Sequence, residues 1–512
     1  MNSREQRVEE IMGCPPRTSV EFQVNHRRCE VTGGDVFLTV GEFVRDRLGW
    51  TGTKMACEEG DCGSCTVLVG RPSGERLTYH PVNSCIRFVY QLDGCHVVTI
   101  EGLAPAGSLT PVQQALIDGH GSQCGFCTPG FVMAMTAAGI RPPGTPGVAP
   151  VNWPVELAGN LCRCTGYVPI LEAARRCERL GSGSPTWPPP ATEFQQRCAT
   201  LQQTSFDIGG THHGRPRRVV SPITLDEALQ LRATLSEAQL IAGGTDLGVL
   251  WTKRREAAPV WIDLRRVAEL QHISSTPAET EVGSTPPGTA GALQVGALVT
   301  WAELLRYCET HLPEFARLLS RCGGPQIRAV GTVGGNLAHA SAIADVFPFL
   351  SVLDATLELA SVRGRRTLGV GEFLIANHQT RLDHDELLVG VTIPQPAPHE
   401  RLRLDKVSRR HDLDISTITA AIRIADVGGQ ITRAAIAVGG AGPTVLRLER
   451  VEAWLRGRPF DEETFRQAGE LAAQDVSPWS DVRGSADYRR QLVRGLIQRF
   501  FHERETTPAA GE

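Results

Sequence analysis

The chain has 512 residues, a formal net charge of -4, 41% hydrophobic residues and 15 cysteines. Single cores stop growing near about 250 to 300 residues, so this length predicts several domains. The charge balance gives no basic excess for nucleic acid or an acidic membrane surface, and the longest apolar run, Phe131 to Ile140, is too short to cross a bilayer. The polar start, Met1 to Arg17, carries no secretory apolar core, so we expect a cytoplasmic protein with reduced thiols.

Residues 18 to 104 have the pattern of a small sheet with one helix. Apolar and polar side chains alternate in Val20–Val24 and again in Cys65–Val69, which is the period of half-buried strands. Between them, Val40 to Leu48 carries apolar residues along one helical face, and Gly49 follows as a typical helix end. We therefore predict a β-grasp-like domain.

Four cysteines of this segment have the plant-type spacing of a [2Fe-2S] cluster, with a long gap before the last. They are Cys57, Cys62, Cys65 and Cys85. Gly60 and Gly63 permit the tight turns that bring three thiolates of one loop onto one small cluster. A zinc site would favour two short Cys-x-x-Cys pairs, and a disulfide framework would need an oxidising compartment. The spacing therefore predicts iron.

Residues 105 to 180 change to a helical pattern. Thr110-Pro111 and Thr128-Pro129 each place a capping residue before a proline, which favours a helix start, and Pro169 to Leu180 has one apolar face. We therefore predict a compact all-helical domain.

Four more cysteines lie in this helical segment, as one Cys-x-x-Cys pair and one Cys-x-Cys pair. They are Cys124, Cys127, Cys162 and Cys164. On spacing alone, zinc remains an alternative. A second [2Fe-2S] cluster is favoured because two one-electron centres in adjacent domains can pass electrons, whereas zinc beside a cluster would be redox-silent.

Residues 181 to 209 begin with Gly-Ser and Pro-rich runs typical of an interdomain linker. An α/β pattern follows over residues 210 to 397, with two glycine segments, Gly243-Gly244 and 331–336. Neither fits Gly-x-Gly-x-x-Gly, so a Rossmann fold is disfavoured. Because backbone amides in such loops can bind a pyrophosphate, two loops downstream of two clusters predict an α/β FAD-binding domain. Residues 398 to 505 combine strand-like and helical runs and are predicted to form a C-terminal α+β domain.

Three motifs together resemble the xanthine dehydrogenase branch of the molybdenum hydroxylases, in particular its bacterial small iron-sulfur/FAD subunit. They are Cys57-x4-Cys62-Gly63-Ser64-Cys65, Gln123-Cys-Gly-Phe-Cys-Thr-Pro-Gly130 and Gly159-Asn-Leu-Cys-Arg-Cys-Thr-Gly166. The resemblance covers residues 18 to 505. Where relatives can place an aromatic residue near the flavin, this chain has Cys322.

The resemblance implies a set of FAD contacts. They are Leu240, Ile241, Ala242, Gly243, Gly244, Thr245, Asp246, Leu247, Thr332, Val333, Gly334, Gly335, Asn336, Asp345, Leu388 and Lys406. Glycines there let amides approach the pyrophosphate, and Lys406 could stabilise an anionic flavin, although on sequence alone a solvated surface lysine is the simpler interpretation.

The resemblance also implies an electron relay. A partner subunit carrying molybdopterin would hydroxylate a purine, and electrons would pass through both clusters to FAD and then to NAD. The expected assembly is an (αβ)2 heterotetramer, and no catalytic residue of the molybdenum site is expected in this chain. An aldehyde or N-heterocycle dehydrogenase subunit of the same architecture is an alternative, as is a non-catalytic iron-sulfur redox sensor, which would need no FAD.

Overall fold

The computed structural model describes residues 3–12, 16–74, 76–104, 107–140, 151–179, 187, 190–254, 258–276 and 291–502. The Pro/Gly-rich stretch 141–150 lies outside these residues. Among the described residues, no helix combines the length and apolar character that a membrane span requires.

The helices are α1 Ser3–Ile11, α2 Val40–Glu42, α3 Pro111–Asp118, α4 Thr128–Gly139, α5 Trp153–Glu156, α6 Val168–Arg179, α7 Thr192–Gln202, α8 Leu225–Thr234, α9 Thr245–Arg254, α10 Trp301–His311, α11 Pro313–Leu319, α12 Pro325–Arg328, α13 Val333–His339, α14 Val346–Val352, α15 Val370–Phe373, α16 Glu449–Leu455, α17 Glu462–Asp475 and α18 Ala486–His502. A π-helical turn, Phe43–Arg47, continues α2. Short 3-10 helices are Gly33–Phe37, Val89–Leu92, Ile100–Gly102 and Ala268–Leu270.

The strands are β1 Ser19–Val24, β2 Arg27–Thr32, β3 Thr66–Ser73, β4 Arg76–Asn83, β5 His96–Val98, β6 Phe206–His212, β7 Arg215–Ser221, β8 Gln239–Ile241, β9 Val260–Asp263, β10 Ile273–Thr276, β11 Ala292–Gly296, β12 Thr356–Ser361, β13 Gly364–Gly369, β14 Leu374–Ala376, β15 Gln379–Thr380, β16 Leu387–Pro394, β17 Glu400–Val407, β18 Ile418–Val427, β19 Gln430–Gly439 and β20 Leu446–Arg447.

The chain forms two compact units. Unit 1 comprises residues 1–268, 300–302 and 323–331, and unit 2 comprises residues 269–299, 303–322 and 332–512.

Unit 1 contains two sheets and a group of helices. The first sheet has the order β2-β1-β5-β3-β4, with β1 antiparallel to β2 and parallel to β5. The second has the order β6-β7-β9-β8, with β8 and β9 parallel. Buried side chains of both sheets belong to one apolar cluster that includes Phe22, Phe88 and Trp261, so the two sheets share a core. Helices α3 to α6 pack around a separate core that includes Phe131 and Trp153.

Unit 2 contains three sheets. Their orders are β10-β11-β16-β12-β13, β14-β15 and β17-β18-β19-β20. The last sheet and helices α16 to α18 share an apolar core that includes Ile422, Ile436 and Phe465. Strand β18 is buried along most of its length, and β16 is buried at most of its positions. Both strands accordingly have strongly apolar sequences.

Several element predictions are confirmed and some are wrong. Thr110 caps α3 through a capping box with Gln113, as its sequence indicates. Thr128 is not a cap: it is the first residue of α4, and its hydroxyl bonds to Ser122 instead. The predicted linker contains helix α7, which its flanking Gly/Pro composition concealed. In the C-terminal region, where the sequence predicts helical runs, α16 begins at Glu449 because β20 first pairs with β19.

Candidate iron-sulfur and flavin sites

The first cysteine set, Cys57, Cys62, Cys65 and Cys85, occupies the loop before β3 and the turn after β4 in unit 1. Glu58, Gly60 and Gly63 all have positive φ, so the backbone reverses repeatedly between Cys57 and Cys65. The four thiols of this set lie close enough to shift one another's pKa. Among the described residues, however, no three His, Cys, Asp or Glu side chains converge tightly enough to hold a single metal ion. The structure therefore places the four predicted ligands near one another, and their role as cluster ligands stays a prediction.

The thiols of the first cysteine set influence one another electrostatically. Hydrogen bonds from Cys62 and Cys85 lower the pKa of Cys57, and the bond from Cys85 lowers the pKa of Cys65. The same bonds raise the pKa of Cys62 and Cys85, which act as donors. The amides of Asp61 and Cys62 also point at the Cys57 sulfur, each at 3.4 Å. Amide bonds to a ligating sulfur stabilise its thiolate form, so this loop suits a metal cluster.

The second cysteine set, Cys124, Cys127, Cys162 and Cys164, lies just before α4 and between α5 and α6. Cys127 lies close to Cys162, and Cys124 close to Cys164, as their mutual effects on pKa show. Burial raises the pKa of Cys127 to about 12. At Cys162 burial also acts to raise the pKa, but hydrogen bonds from Thr165 and neighbouring groups together lower it. No described cysteine forms a disulfide. Four free thiols from two loops are a donor set that fits a [2Fe-2S] cluster.

The loops of the two cysteine sets contact each other within unit 1. The amide of Leu161 donates to the carbonyl of Cys62 at 2.9 Å, and the Asn160 side chain donates to the carbonyl of Gly63 at 3.0 Å. A Cβ on Gly63 would come within 2.2 Å of the carbonyl oxygen of Gly159. Gln326 donates to both Thr66 and Asn160, at 3.1 and 2.8 Å. The sequence motifs thus include glycines and an asparagine whose role is to hold two cluster loops together.

Helix α9 connects the first cysteine set to the first glycine loop, defined as Leu240 to Leu247. Near its end, the Thr252 hydroxyl donates to the carbonyl of Glu58 at 2.6 Å and the Lys253 ammonium to that of Cys57 at 2.5 Å. In the middle of the helix, Gly248 lies so close to Ile86 that a Cβ would meet its carbonyl oxygen at 2.4 Å. One rigid helix therefore contacts the cysteine loop and begins at the glycine loop.

The first glycine loop turns sharply between β8 and α9. Gly244 has φ +76°, and a Cβ on Gly243 would lie 2.1 Å from the carbonyl oxygen of Val330. The first helical bond runs from the Gly248 amide to the Gly244 carbonyl, so the amides of the first turn, beginning with Thr245, have no acceptor in the helix. A helix start favours a phosphate, so this loop is a candidate for the pyrophosphate of FAD.

In the second glycine loop, Thr332 to Asn336 of unit 2, the glycine amides donate hydrogen bonds within the fold. The Gly334 amide donates to Ala297 at 2.8 Å, and the Gly335 amide donates to the Thr332 hydroxyl at 3.0 Å. The amides of these two glycines are therefore already bonded within the fold, so they are not free donors for a pyrophosphate. Instead, the Asn336 side-chain oxygen is buried without a partner among the described residues, which is a group that a cofactor could satisfy.

Asp345 and Lys406 form a buried ion pair in unit 2. Lys406 Nζ lies 2.6 Å from Asp345, and the lysine side chain is only 3% exposed. The interpretation of Lys406 as a solvated surface lysine is therefore wrong. Asp345 also accepts from Ser416, from Thr419 at 2.7 Å and from the Cys322 thiol at 3.4 Å. Leu388, the remaining predicted contact, is buried on β16 beside Leu359.

Reasoning from the sequence missed the residues that support these sites from a distance. They are Arg87, Asn160, Thr252, Lys253, Gln326, Ser416 and Thr419. Asn160 stood inside a quoted motif but was given no role. The others carry no spacing signal, because their partners are far away in the chain.

Three family models match segments of this chain. Residues 99–175 match a family model described as a [2Fe-2S] binding domain, and residues 214–396 match the FAD binding domain in molybdopterin dehydrogenase. Residues 404–504 match the CO dehydrogenase flavoprotein C-terminal domain. These matches follow one another along the chain in the order in which the sites were described.

Similar proteins include xanthine dehydrogenase of Drosophila subobscura, 32% identical over 93% of this chain and 38% of that protein. Aldehyde oxidase 2 of Rattus norvegicus is 30% identical over 96% of this chain and 40% of its own length. Quinoline 2-oxidoreductase from Pseudomonas putida 86 is a solved structure with a TM-score of 0.49 and 32% identity, covering 55% of this chain and 94% of that one. The chain spans about two fifths of the length of these curated relatives.

The cysteine sets and the matched domains define an electron-transferring iron-sulfur flavoprotein of the oxidoreductase class, with [2Fe-2S] and FAD as its cofactors. The matched FAD domain is that of molybdopterin dehydrogenase and the C-terminal match that of CO dehydrogenase flavoprotein, so the chain carries domains of the molybdenum hydroxylase family.

Proposed function

We propose that this chain is the electron-transfer subunit of a xanthine dehydrogenase, active with a molybdopterin subunit that hydroxylates a purine. The observation that carries the proposal is the continuity of bonded loops in unit 1. The second cysteine set bonds to the first through Leu161 and Cys62, and α9 bonds the first set to the first glycine loop. When bound, the two clusters carry single electrons, and FAD combines two of them for transfer to NAD.

The residues of the chain hold these groups in place. Each cysteine set supplies four thiolates, and Thr165 and the loop amides donate to the ligating sulfurs. We propose a β-grasp [2Fe-2S] domain at 18–104, a helical one at 105–180, an FAD-binding domain at 210–397 and a C-terminal domain at 398–505. We also propose the two glycine loops, Asp345, Leu388 and Lys406 as FAD contacts, with Lys406 held by Asp345.

The surface around the second cysteine set is suited to docking the molybdenum subunit. Cys124 and Cys164 are exposed, as is Gln123 between Ser122 and Cys124. Phe126 and Val168 are 46% and 60% exposed on the same loops. Exposed apolar side chains around a redox centre favour a protein partner, and an amide such as Gln123 can both donate and accept across the interface.

The assembly, the compartment and the acceptor are part of the same proposal. We propose an (αβ)2 heterotetramer in the cytoplasm that uses NAD. Xanthine dehydrogenases among the similar proteins support the purine, whereas the similarity to aldehyde oxidase 2 favours an aldehyde or N-heterocycle subunit as a second candidate. A redox sensor without FAD is disfavoured by the FAD-binding domain.

The test is to purify the chain with its molybdenum subunit and to measure oxidation of xanthine, hypoxanthine and aldehydes with NAD or oxygen as acceptor. We expect NAD reduction with xanthine, and none from the chain alone. Replacing Gln123 by alanine should slow cluster reduction by xanthine but not flavin reduction by NADH. Faster turnover of aldehydes than of xanthine would favour the second candidate, and purine oxidation by the chain alone would overturn the proposal.

A further inference from the structure

Arg87 is a buried cation without a carboxylate. It stands two residues after the ligand Cys85, and it is 2% exposed. Its guanidinium makes only two long bonds, from Nη1 to the Gly243 carbonyl at 3.5 Å and from Nη2 to the Gln91 carbonyl at 3.4 Å. Nε has no partner, and no carboxylate of the described residues pairs with Arg87.

Two other buried arginines of unit 1 each form an ion pair with a carboxylate. Arg265 pairs with Asp263 at 2.9 Å, and Arg266 pairs with Asp93 at 2.9 Å. A buried charge is costly unless a counter-charge and hydrogen bonds offset its desolvation. The Asp263 carboxylate attracts Arg87 at longer range, but Asp263 is already paired with Arg265. The described part of the chain therefore supplies no ion-pair partner for the charge of Arg87.

The neighbourhood of Arg87 indicates where that counter-charge binds. Gly243, whose carbonyl it contacts, belongs to the first glycine loop, from which α9 begins at Thr245. Gln91 is fully buried, and its Nε2 has no partner among the described residues and lies 3.2 Å from the position of a Cβ on Gly244. Arg87, Gly243 and Thr245 also line one small cavity. A buried cation and an orphaned donor beside the start of a helix together suit an anion.

We propose that Arg87 is the counter-cation of the FAD diphosphate at the first glycine loop, with Gln91 as a second donor. The residue comes from the predicted iron-sulfur domain, so that domain contributes directly to flavin affinity. Arg87 positions the glycine loop through its hydrogen bond to the Gly243 carbonyl and attracts the diphosphate through its positive charge. The inference rests on the proposed FAD contact at this loop.

The test compares Arg87→Met with Arg87→Lys in the full chain with its clusters, stripped of flavin and titrated with FAD. We expect Arg87→Met to weaken FAD binding roughly tenfold or more, because a charged partner is lost, and Arg87→Lys to retain most of the affinity. The flavin-free Arg87→Met chain should unfold at the same or a higher temperature than wild type, because an unpaired buried charge is gone.

Arg266→Met is the matched control, since it removes a buried arginine that is already paired with Asp93. It should lower the unfolding temperature and leave FAD affinity within about twofold. The inference would be overturned if Arg87→Met binds FAD as tightly as wild type, or if the flavin-free variant is less stable than wild type. If Arg87→Met does not fold, the FAD affinity of Gln91→Leu is compared with that of wild type instead, and an unchanged affinity would overturn the inference. A wild-type chain that binds no FAD overturns the proposed flavin site as a whole.

Discussion

The carbonyl of Cys62 accepts a hydrogen bond from the amide of Leu161 at 2.9 Å, and each residue is a ligand or the neighbour of a ligand in a different cysteine set. The contact is possible because Gly63 and Gly159 bring two backbones together without side chains. The two sets are therefore part of one packed structure in unit 1, so a change in one loop should be felt at the other.

Gly63→Ala should disturb both cysteine sets. Gly63 has φ +67°, and its Cβ would lie 2.2 Å from the Gly159 carbonyl oxygen, a backbone atom that cannot move away alone. We expect loss of the first cluster and an altered paramagnetic resonance signal from the second. Gly214→Ala is the control, because its φ of +72° is similar but no atom lies within 4 Å of the new Cβ. If Gly63→Ala and Gly214→Ala changed the cluster signals equally, backbone strain at positive φ would explain the result and the close contact with Gly159 would not be needed.

Gly244→Val should release flavin while both clusters stay bound. Its φ of +76° is unfavourable for valine, and the Cβ would press on Gln91 and close the start of α9. The flavin content of the purified chain and its iron content are the measurements. Gly457→Val, at φ +79° with open space around it, is the control. Full flavin occupancy in Gly244→Val would mean that the loop does not bind the cofactor.

The sequence alone indicates the candidate cluster ligands, because their chemistry imposes local spacing. Cys57, Cys62 and Cys65 lie within one loop, and any fold that binds a cluster there must keep the gaps between them. The same is true of Thr110 and Gln113, whose capping box spans three residues. Such features are readable without the tertiary structure.

Features that depend on long-range packing could not be predicted in this way. Lys406 reads as a surface residue until β17 brings it against Asp345, 61 positions earlier. The amides of Gly334 and Gly335 seemed free until the structure placed Ala297 and the Thr332 cap on them. Gln326 bonds to Thr66 across 260 positions. In each case the role depends on whether the residue is buried and which residue it contacts, and the residue type alone does not reveal either.

Lys406→Met should destabilise the chain by about 3 kcal/mol, because it leaves the Asp345 carboxylate buried with only neutral donors. The measurement is the midpoint of urea unfolding without flavin. The double variant Asp345→Asn/Lys406→Met should recover part of the loss, since no unpaired charge remains. Additive losses would contradict a direct coupling of the two side chains.

Glu21 should contribute acid-sensitive stability. Its hydrogen bond with Arg197 on α7, assisted by Arg28, lowers the pKa of Glu21 from 4.5 to about 2. Because the pKa is lower in the folded state, the contribution is complete above the unfolded value and is lost as pH falls from about 5 toward 2. With both arginines partly exposed, we expect about 1 kcal/mol at neutral pH. Glu21→Gln should lower the urea midpoint at pH 7 and reduce its decline between about pH 5 and 3. An unchanged decline would contradict this role.

Lys253 should tune the first cluster from helix α9. Its ammonium donates to the Cys57 carbonyl at 2.5 Å and lies 3.5 Å from Glu59, so Lys253→Met removes a positive charge beside a ligating loop and leaves Glu59 unpaired. Both changes disfavour the added negative charge of the reduced cluster. We expect its midpoint potential to fall on the order of 20 to 50 mV, given the modest energy of partly exposed ion pairs.

Resonance-monitored redox titration of the full chain measures the shift, with the second cluster as an internal reference that should not move. Arg254→Met removes the next cation of the same helix, which is exposed, and should shift the first cluster less. Equal shifts from both variants would indicate a general effect of net charge, and a shift confined to the second cluster would contradict the contact between α9 and the first cysteine set.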